Sequence, residues 1–168
     1  MAPTEPQCLG YAVGASQLYI AISKAATHQA CVAADQLTTR FLKGDPPAPT
    51  IILDLDGCGW IDSTFAGWII RLKRQVARQG GRLVLTACPE ACRASLDVMG
   101  LSSFFEFRTV ARPPELTPLV CAAGELDAGA IEFMARAHES LAELKSANAR
   151  AFAHIAEQLR TEARQRGG

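Results

Sequence analysis

The sequence lacks the features that would mark a membrane protein, a secreted protein or a nucleic-acid binder. No apolar run approaches the roughly 18–20 residues that a membrane helix needs, and no basic residue precedes Lys24, so a secretory signal is not expected. Its 17 basic and 17 acidic residues cancel, which removes any global attraction to nucleic acid or anionic lipid. We therefore expect a cytoplasmic protein whose partner is another protein or a small molecule.

The motifs of common enzyme and metal sites are also missing. The six cysteines form no C-x-x-C pair, and no histidine stands at metal-ligand spacing. Cys88 and Cys92 are the one close pair, so we expect reduced, buried thiols, with a redox-sensitive or adventitious metal site as the alternative. Asp54 and Asp56 have neither a glycine-rich phosphate loop nor a suitably placed histidine beside them. We predict no metal, no cofactor and no catalytic residue, and hence a protein that is not an enzyme.

The sequence has 49% hydrophobic residues, and strand-like and helix-like segments alternate along it. After a leader of residues 1–9, the order is two strands, then helix, strand, helix, strand, helix and a last short strand. The predicted segments are 10–16, 17–23, 27–42, 50–56, 63–79, 82–87, 89–99 and 104–107. This order predicts one α/β domain over residues 10–110, a small mixed sheet flanked by helices.

The C-terminal third has a different pattern. Residues 111–126 are proline-containing and are interpreted as a linker, and residues 127–168 as a helical extension that begins at Asp127. Within it, residues at alternating spacings of three and four form a heptad seam: Ile131, Met134, His138, Leu141, Lys145, Asn148, Phe152, Ile155 and Leu159. Either a helical hairpin folds back on the α/β domain, with Ser146 capping its second helix, or one long helix forms a homodimer through residues 127–165.

The junction between the strand at 50–56 and the following helix carries the candidate site. Asp62 is predicted to cap the helix, which places Ser63 and Thr64 in its first turn, where backbone N–H groups lack partners. A phosphate on Ser63 would be tolerated there, because negative charge is favoured at a helix N-terminus. It would add about −1.5 to −2 charges to a docking surface. The alternative is that Ser63 merely begins the helix; His28, His138 and His154 are isolated in sequence and are interpreted as structural or solvent-facing.

The order of these motifs resembles the STAS family, the anti-sigma factor antagonists, from about Gly10 to Phe107. The segments that carry the resemblance are Ile51 to Asp56, Trp60 to Gly67, Gly81 to Thr86, Val98 to Leu101, and Phe104 with Phe105. The resemblance implies a bacterial cytosolic binding module whose serine, here Ser63, is phosphorylated by a partner kinase with anti-sigma activity. It also implies dephosphorylation by a PP2C-like phosphatase. Unphosphorylated members of the family bind the kinase, and phosphorylation releases them.

Several residues near Ser63 qualify this expectation. Phe65 replaces a glycine of the common family pattern, whereas Gly67 matches a second one. Trp68, Arg71 and Arg74 are candidate partner-binding residues; the alternatives are that Trp68 covers the domain edge beneath the C-terminal helices and that the arginines form a solvated face. Thr64 is a second candidate phosphoacceptor. The alternative function is a constitutive STAS adaptor or small-ligand sensor in a signalling or transport complex, and an enzyme with Ser63 as its nucleophile is the least favoured.

Overall fold

A computed structural model describes residues 8–121, 126–144 and 148–168. The strands are β1 (Cys8–Val13), β2 (Gln17–Ile22), β3 (Lys24–Ala26), β4 (Thr50–Asp54), β5 (Cys58–Ile61), β6 (Arg82–Thr86), β7 (Glu106–Phe107) and β8 (Thr117–Val120). The helices are α1 (His28–Lys43), α2 (Ser63–Arg78), α3 (Glu90–Val98), α4 (Ala128–Ala142) and α5 (Ala149–Gly167). The predicted class, an α/β domain with a helical extension, is confirmed.

The main sheet has six strands in the order β7-β6-β4-β2-β1-β8. Strands β2, β4, β6 and β7 run parallel, while β1 is antiparallel to both β2 and β8. Alternation in β4 divides its side chains between the two faces: Ile51 and Leu53 enter the large core beneath the helices, and Ile52 joins a small cluster on the other face. The burial of both faces explains why the middle of β4, from Ile51 to Leu53, is apolar without alternation, as expected for an inner parallel strand.

Helix α2 packs on this sheet through the apolar stripe that the sequence indicates. Phe65, Ile69, Leu72 and Val76 are fully buried, as expected for residues at helical spacing on a core-facing side. The helix ends at Arg78, and Gly80 follows two residues later with a φ of +70°, a left-handed conformation that suits glycine just after a helix C-terminus. The helix that carries Ser63 is therefore fixed to the sheet along its length.

Three short strands were not expected from the sequence. β3 and β5 form a separate two-stranded parallel pair, and β8 lies inside the segment interpreted as a linker, where it adds an edge to the main sheet beside β1. Strands of three or four residues are too short for alternation to be recognised. Pro118 in β8 is accommodated because an edge strand has one side that needs no hydrogen-bond donor.

The C-terminal extension is a helical hairpin. α4 and α5 pack on each other, and α4 packs on α2, so the hairpin alternative is confirmed and the single long helix is wrong. Ser146, its predicted cap, lies outside the described residues. Seam residues such as Ile131, Leu141 and Phe152 are buried within one chain, so the homodimer stays a prediction. Among the helices of the described residues, none has both the length and the hydropathy to span a membrane.

Candidate functional site

Ser63 is the first residue of α2, and the preceding loop is fixed by a cap. The side chain of Asp62 accepts a hydrogen bond from the backbone N–H of Phe65 at 2.7 Å, which satisfies one of the donors left free at a helix start. The backbone N–H of Asp62 donates to the carbonyl of Ala26 at 3.1 Å. The β3–β5 pair thus holds the loop against the domain, and the predicted cap at Asp62 is present.

The pKa of the Asp62 carboxyl is changed by its surroundings. Burial raises the pKa of its carboxyl above the usual value, because removal from water penalises the charged form. The hydrogen bond from Phe65 and the nearby imidazoles of His28 and His138 act in the opposite direction and lower this pKa. The dominant effect is burial, so the folded protein binds a proton at Asp62 more readily than the unfolded chain does.

The hydroxyl of Ser63 is bonded to a histidine of the C-terminal hairpin. Ser63 Oγ lies 2.8 Å from Nε2 of His138, and Nδ1 of the same ring lies 2.8 Å from the carbonyl oxygen of Met134. A carbonyl can only accept, so Nδ1 carries the hydrogen and Nε2 is the acceptor in the neutral ring. Ser63 therefore donates to His138, whose side chain is only 4% exposed.

One turn further along α2, the two helices approach as closely as their backbones allow. A Cβ atom at Gly67 would lie 2.0 Å from the carbonyl oxygen of Ala137 and 2.5 Å from its carbonyl carbon. Any side chain at this position would therefore push α4 away. Gly67, which the sequence offered as a family glycine, is required here by the contact between α2 and α4.

The three candidate partner-binding residues are all engaged within the chain. Trp68 is fully buried, and its indole N–H donates to Asp35 at 2.9 Å. It has no exposed surface with which to anchor a partner in this conformation, and its burial agrees with the alternative of a covered edge. Arg71 bonds the same Asp35 oxygen at 2.9 Å and lies over the ring of Phe133, 5.1 Å from its centroid.

Arg74 forms an ion pair with Glu143, at 2.5 Å between Nη1 and Oε2. Both side chains remain exposed to solvent, so this pair contributes little to stability on its own. The ion pair is informative for its position, because Arg74 lies in α2 and Glu143 directly follows α4. It therefore connects these two helices. Arg71 and Arg74 thus both contact the hairpin, and Arg74 also remains exposed to solvent.

Thr64, the second candidate phosphoacceptor, is buried at 3% exposure. A kinase could not reach its hydroxyl without unfolding the start of α2. Ser63 is half-buried, so of the two hydroxyls it is the accessible candidate.

The carboxylate of Asp54 is engaged by three neighbouring groups of the chain. Asp54 is buried; it accepts from the phenol of Tyr19 at 2.7 Å and from the backbone N–H of Asp56 at 3.0 Å. The guanidinium of Arg112 approaches it at 3.5 Å. No group of three or more potential metal ligands occurs in the part of the chain that the structure describes. These contacts assign Asp54 a structural role at the end of β4.

Four of the described cysteines, Cys31, Cys58, Cys88 and Cys92, carry free thiols, in agreement with the expected reduced state. Burial raises the pKa of Cys92 to about 12 and also raises that of Cys88. Because the thiolate is the reactive form, thiols with raised pKa values react slowly.

Two residues near Ser63 were not selected from the sequence. His138 stood in the heptad seam as one of its three polar positions, and a polar residue in such a seam is the signal that could have pointed to a specific partner. Trp60, in β5, is 51% exposed although it is one of the largest apolar side chains. An exposed tryptophan three residues before Ser63 is a candidate contact for a docking protein.

Comparisons with known proteins identify the domain. The family model described as STAS domain matches residues 16–113. The crystal structure of the Thermotoga maritima protein TM1081, a candidate anti-sigma factor antagonist, superimposes with a TM-score of 0.52 at 18% identity and covers 61% of this chain and 87% of that one. The NMR structure of TM1081 gives 0.51 at 18% identity, with coverage of 60% and 79%.

A structure of the anti-sigma factor antagonist SpoIIAA in its unphosphorylated form has a TM-score of 0.49 at 18% identity, with 60% of this chain and 88% of that one covered. At 18% identity the two TM1081 structures establish the fold alone. The search of curated protein sequences gave no significant match. The family model spans more than half of the chain and coincides with β2 to β7, and on this ground the chain belongs to the STAS domain family.

Proposed function

We propose that this chain is a non-enzymatic, phosphorylation-switched binding module of a bacterial partner-switching system. Unphosphorylated, it binds a switch kinase of the anti-sigma type; phosphorylation of Ser63 releases that kinase, and a PP2C-like phosphatase reverses the modification. The observation that carries the proposal is the position of Ser63, the partly accessible first residue of a capped helix in a STAS domain. Its output is transcription regulation through the sigma factor that the kinase holds.

The physical basis of the switch is charge on a docking surface. A helix N-terminus accepts a phosphate because free N–H groups and the helix dipole favour negative charge there. The phosphate would add about −1.5 to −2 charges beside Asp62 without breaking α2. Like-charge contact with a docked partner costs several kcal/mol, and each ~1.4 kcal/mol lowers affinity about tenfold.

The experiment is phosphoprotein mapping in cells, with the variants Ser63→Ala and Ser103→Ala. Ser103 is exposed and lies in a separate 3-10 turn, so its variant is the matched control. We expect phosphate on Ser63 in the wild type and the control, and none in Ser63→Ala. Ser63→Asp should weaken capture of the kinase, whereas Ser63→Ala should retain it. Absence of phosphate on Ser63 under every growth condition would refute the proposal.

A second candidate is a constitutive STAS adaptor. It is favoured by the hydrogen bond between Ser63 and His138, because a hydroxyl engaged by the chain's own helix is less available to a kinase. The two functions differ in one measurement. An adaptor should bind its partner equally well as Ser63→Ala and as Ser63→Asp, whereas a switch should not.

A further inference from the structure

One face of α2 carries Ser63 together with both candidate arginines. Ser63, Gly67, Arg71 and Arg74 follow at spacings of four, four and three, so they lie on the same side of the helix. We call these four residues the Ser63 face. Every one of them contacts the C-terminal hairpin: they meet His138, Ala137, Phe133 and Glu143, respectively. The chain itself thus covers the surface next to its candidate phosphorylation site.

We propose that the α4–α5 hairpin is an intramolecular ligand of the Ser63 face and that its docking is exclusive with a phosphate on Ser63. The closed chain covers part of the serine, and the phosphorylated chain holds the hairpin open. An external helix that presented a small residue to Gly67 and a carboxylate to Arg74 would compete for the same face. This inference rests on the proposed function, because it assigns a regulator to the same serine.

The first argument is the loss of a donor. In the closed form the Ser63 hydroxyl supplies the hydrogen that Nε2 of His138 accepts at 2.8 Å. A phosphorylated Oγ has no hydrogen, and His138 is almost completely buried. The ring nitrogen would then be a buried acceptor without a partner, which is costly in a site that water does not reach. Phosphorylation therefore removes a contact on which the docked hairpin depends.

The second argument is the lack of room. The separation of α2 and α4 is set by backbone contact at Gly67, only one turn from Ser63. Closely packed backbones cannot shift to admit a phosphoryl group between Oγ and the imidazole without breaking that contact. The remaining contacts of the Ser63 face include an exposed ion pair between Arg74 and Glu143, which is weak in water. The hairpin is also held by apolar burial, since Leu141 belongs to the main core cluster. The phosphate opposes the polar and steric contacts of the Ser63 face directly.

The test is hydrogen exchange, followed by mass spectrometry, on the full chain with phosphoserine installed at position 63 by translational incorporation. Peptides from residues 126–144 and 148–168 report on the hairpin, and peptides from β4 and β6 on the domain core. We expect exchange in α4 and α5 to accelerate by about tenfold or more, with β4 and β6 unchanged. Phosphoserine at position 103 is the matched control and should leave the hairpin protected. Ser63→Ala, which removes the donor without adding bulk or charge, should accelerate exchange less.

Three outcomes would overturn the proposal. Unchanged exchange in α4 would mean that the phosphate fits under the docked hairpin. Slower exchange would mean that a protonated His138 pairs with the phosphate and fastens the hairpin. Faster exchange in β4 and β6 as well would mean that the phosphate unfolds the domain. Because the phosphate is installed without a kinase, failure to find it on Ser63 in cells would refute the proposed function alone.

Discussion

Gly67→Ala is the substitution whose effect on the contact between α2 and α4 can be worked out most directly. The new methyl carbon would lie 2.0 Å from the carbonyl oxygen of Ala137 and 2.5 Å from its carbon. Carbon atoms pack at about 3.5–4.0 Å from each other, so α4 must recede by roughly an ångström or more. The hydrogen bond between Ser63 and His138, one turn away, would then be stretched past the range of a normal bond.

The change in the free energy of unfolding follows from two destabilising contributions and one stabilising contribution. Overpacking of a tight contact costs about 1–3 kcal/mol, and loss of one hydrogen bond costs about 1 kcal/mol. Replacing glycine by alanine inside a helix returns about 1 kcal/mol. The expected net loss is about 1–3 kcal/mol in the free energy of unfolding, or a fall in Tm of about 2–12 °C for a chain of this size.

Thermal unfolding followed by circular dichroism measures this effect, with Gly129→Ala as the matched control. Gly129 also lies in a helix, α4, but the nearest atom to its added Cβ would be 3.4 Å away, an ordinary contact. The control variant should be as stable as the wild type or slightly more stable. If Gly67→Ala unfolds at the same temperature as Gly129→Ala, the close approach of α2 to α4 does not exist in solution.

Three further predictions concern the cap, the hairpin and the domain boundary. Because burial raises the pKa of Asp62, the contribution of Asp62 to the free energy of unfolding should fall as pH rises from about its usual pKa of 3.8. In melts at several pH values, Asp62→Asn, which can still cap the helix, should remove that contribution, while Asp62→Ala should cost about 1 kcal/mol. Arg160 donates to Glu132 at 2.8 Å and to Glu139 at 2.6 Å, and it lowers the pKa of Glu139. The stabilisation by these ion pairs is present at neutral pH and is lost as pH falls through the lowered pKa of Glu139. Arg160→Leu should therefore speed hydrogen exchange in α5 only modestly, by less than about 1 kcal/mol, and this difference should vanish in acid or high salt. A chain ending at residue 121, which retains β8, should still unfold cooperatively at a lower temperature; a molten chain would show that the hairpin is part of the domain core.

The parts of the fold that could be predicted are those whose information is local. β4 reads as an inner strand because each of its faces is buried, and α2 reads as a helix because Phe65, Ile69 and Leu72 recur at helical spacing. By contrast, β3, β5 and β8 are strands because they pair with neighbouring strands. Lys24 in β3 and Trp60 in β5 are exposed, so no alternation of burial marks these strands, and their pairing is decided by tertiary contact.

The residues of the candidate site also separate into those that local sequence predicts and those that depend on tertiary contacts. The cap and the first turn of α2 follow from Asp62 and Ser63 alone, since capping is a local property. The partner of Ser63 could not be predicted, because His138 is 75 residues away and its approach depends on where the hairpin docks. Arg71 and Arg74 were correctly grouped on one side of α2, but spacing cannot tell whether that side meets solvent, another protein or the chain's own α4.

Phe65 connects these observations with the proposed switch. Its ring is fully buried and packs edge-on against Trp68, with 5.4 Å between the ring centroids. The bulk that replaces a glycine of the family pattern therefore enters the core and does not add to the Ser63 face. The same side chain fixes the first turn of α2 to the domain, so this turn cannot swing out to meet a kinase. Full exposure of Ser63 must then come from movement of the hairpin. A kinase that fails to bind the full chain should therefore be tested against a chain that ends at residue 121 before Phe65 is held responsible.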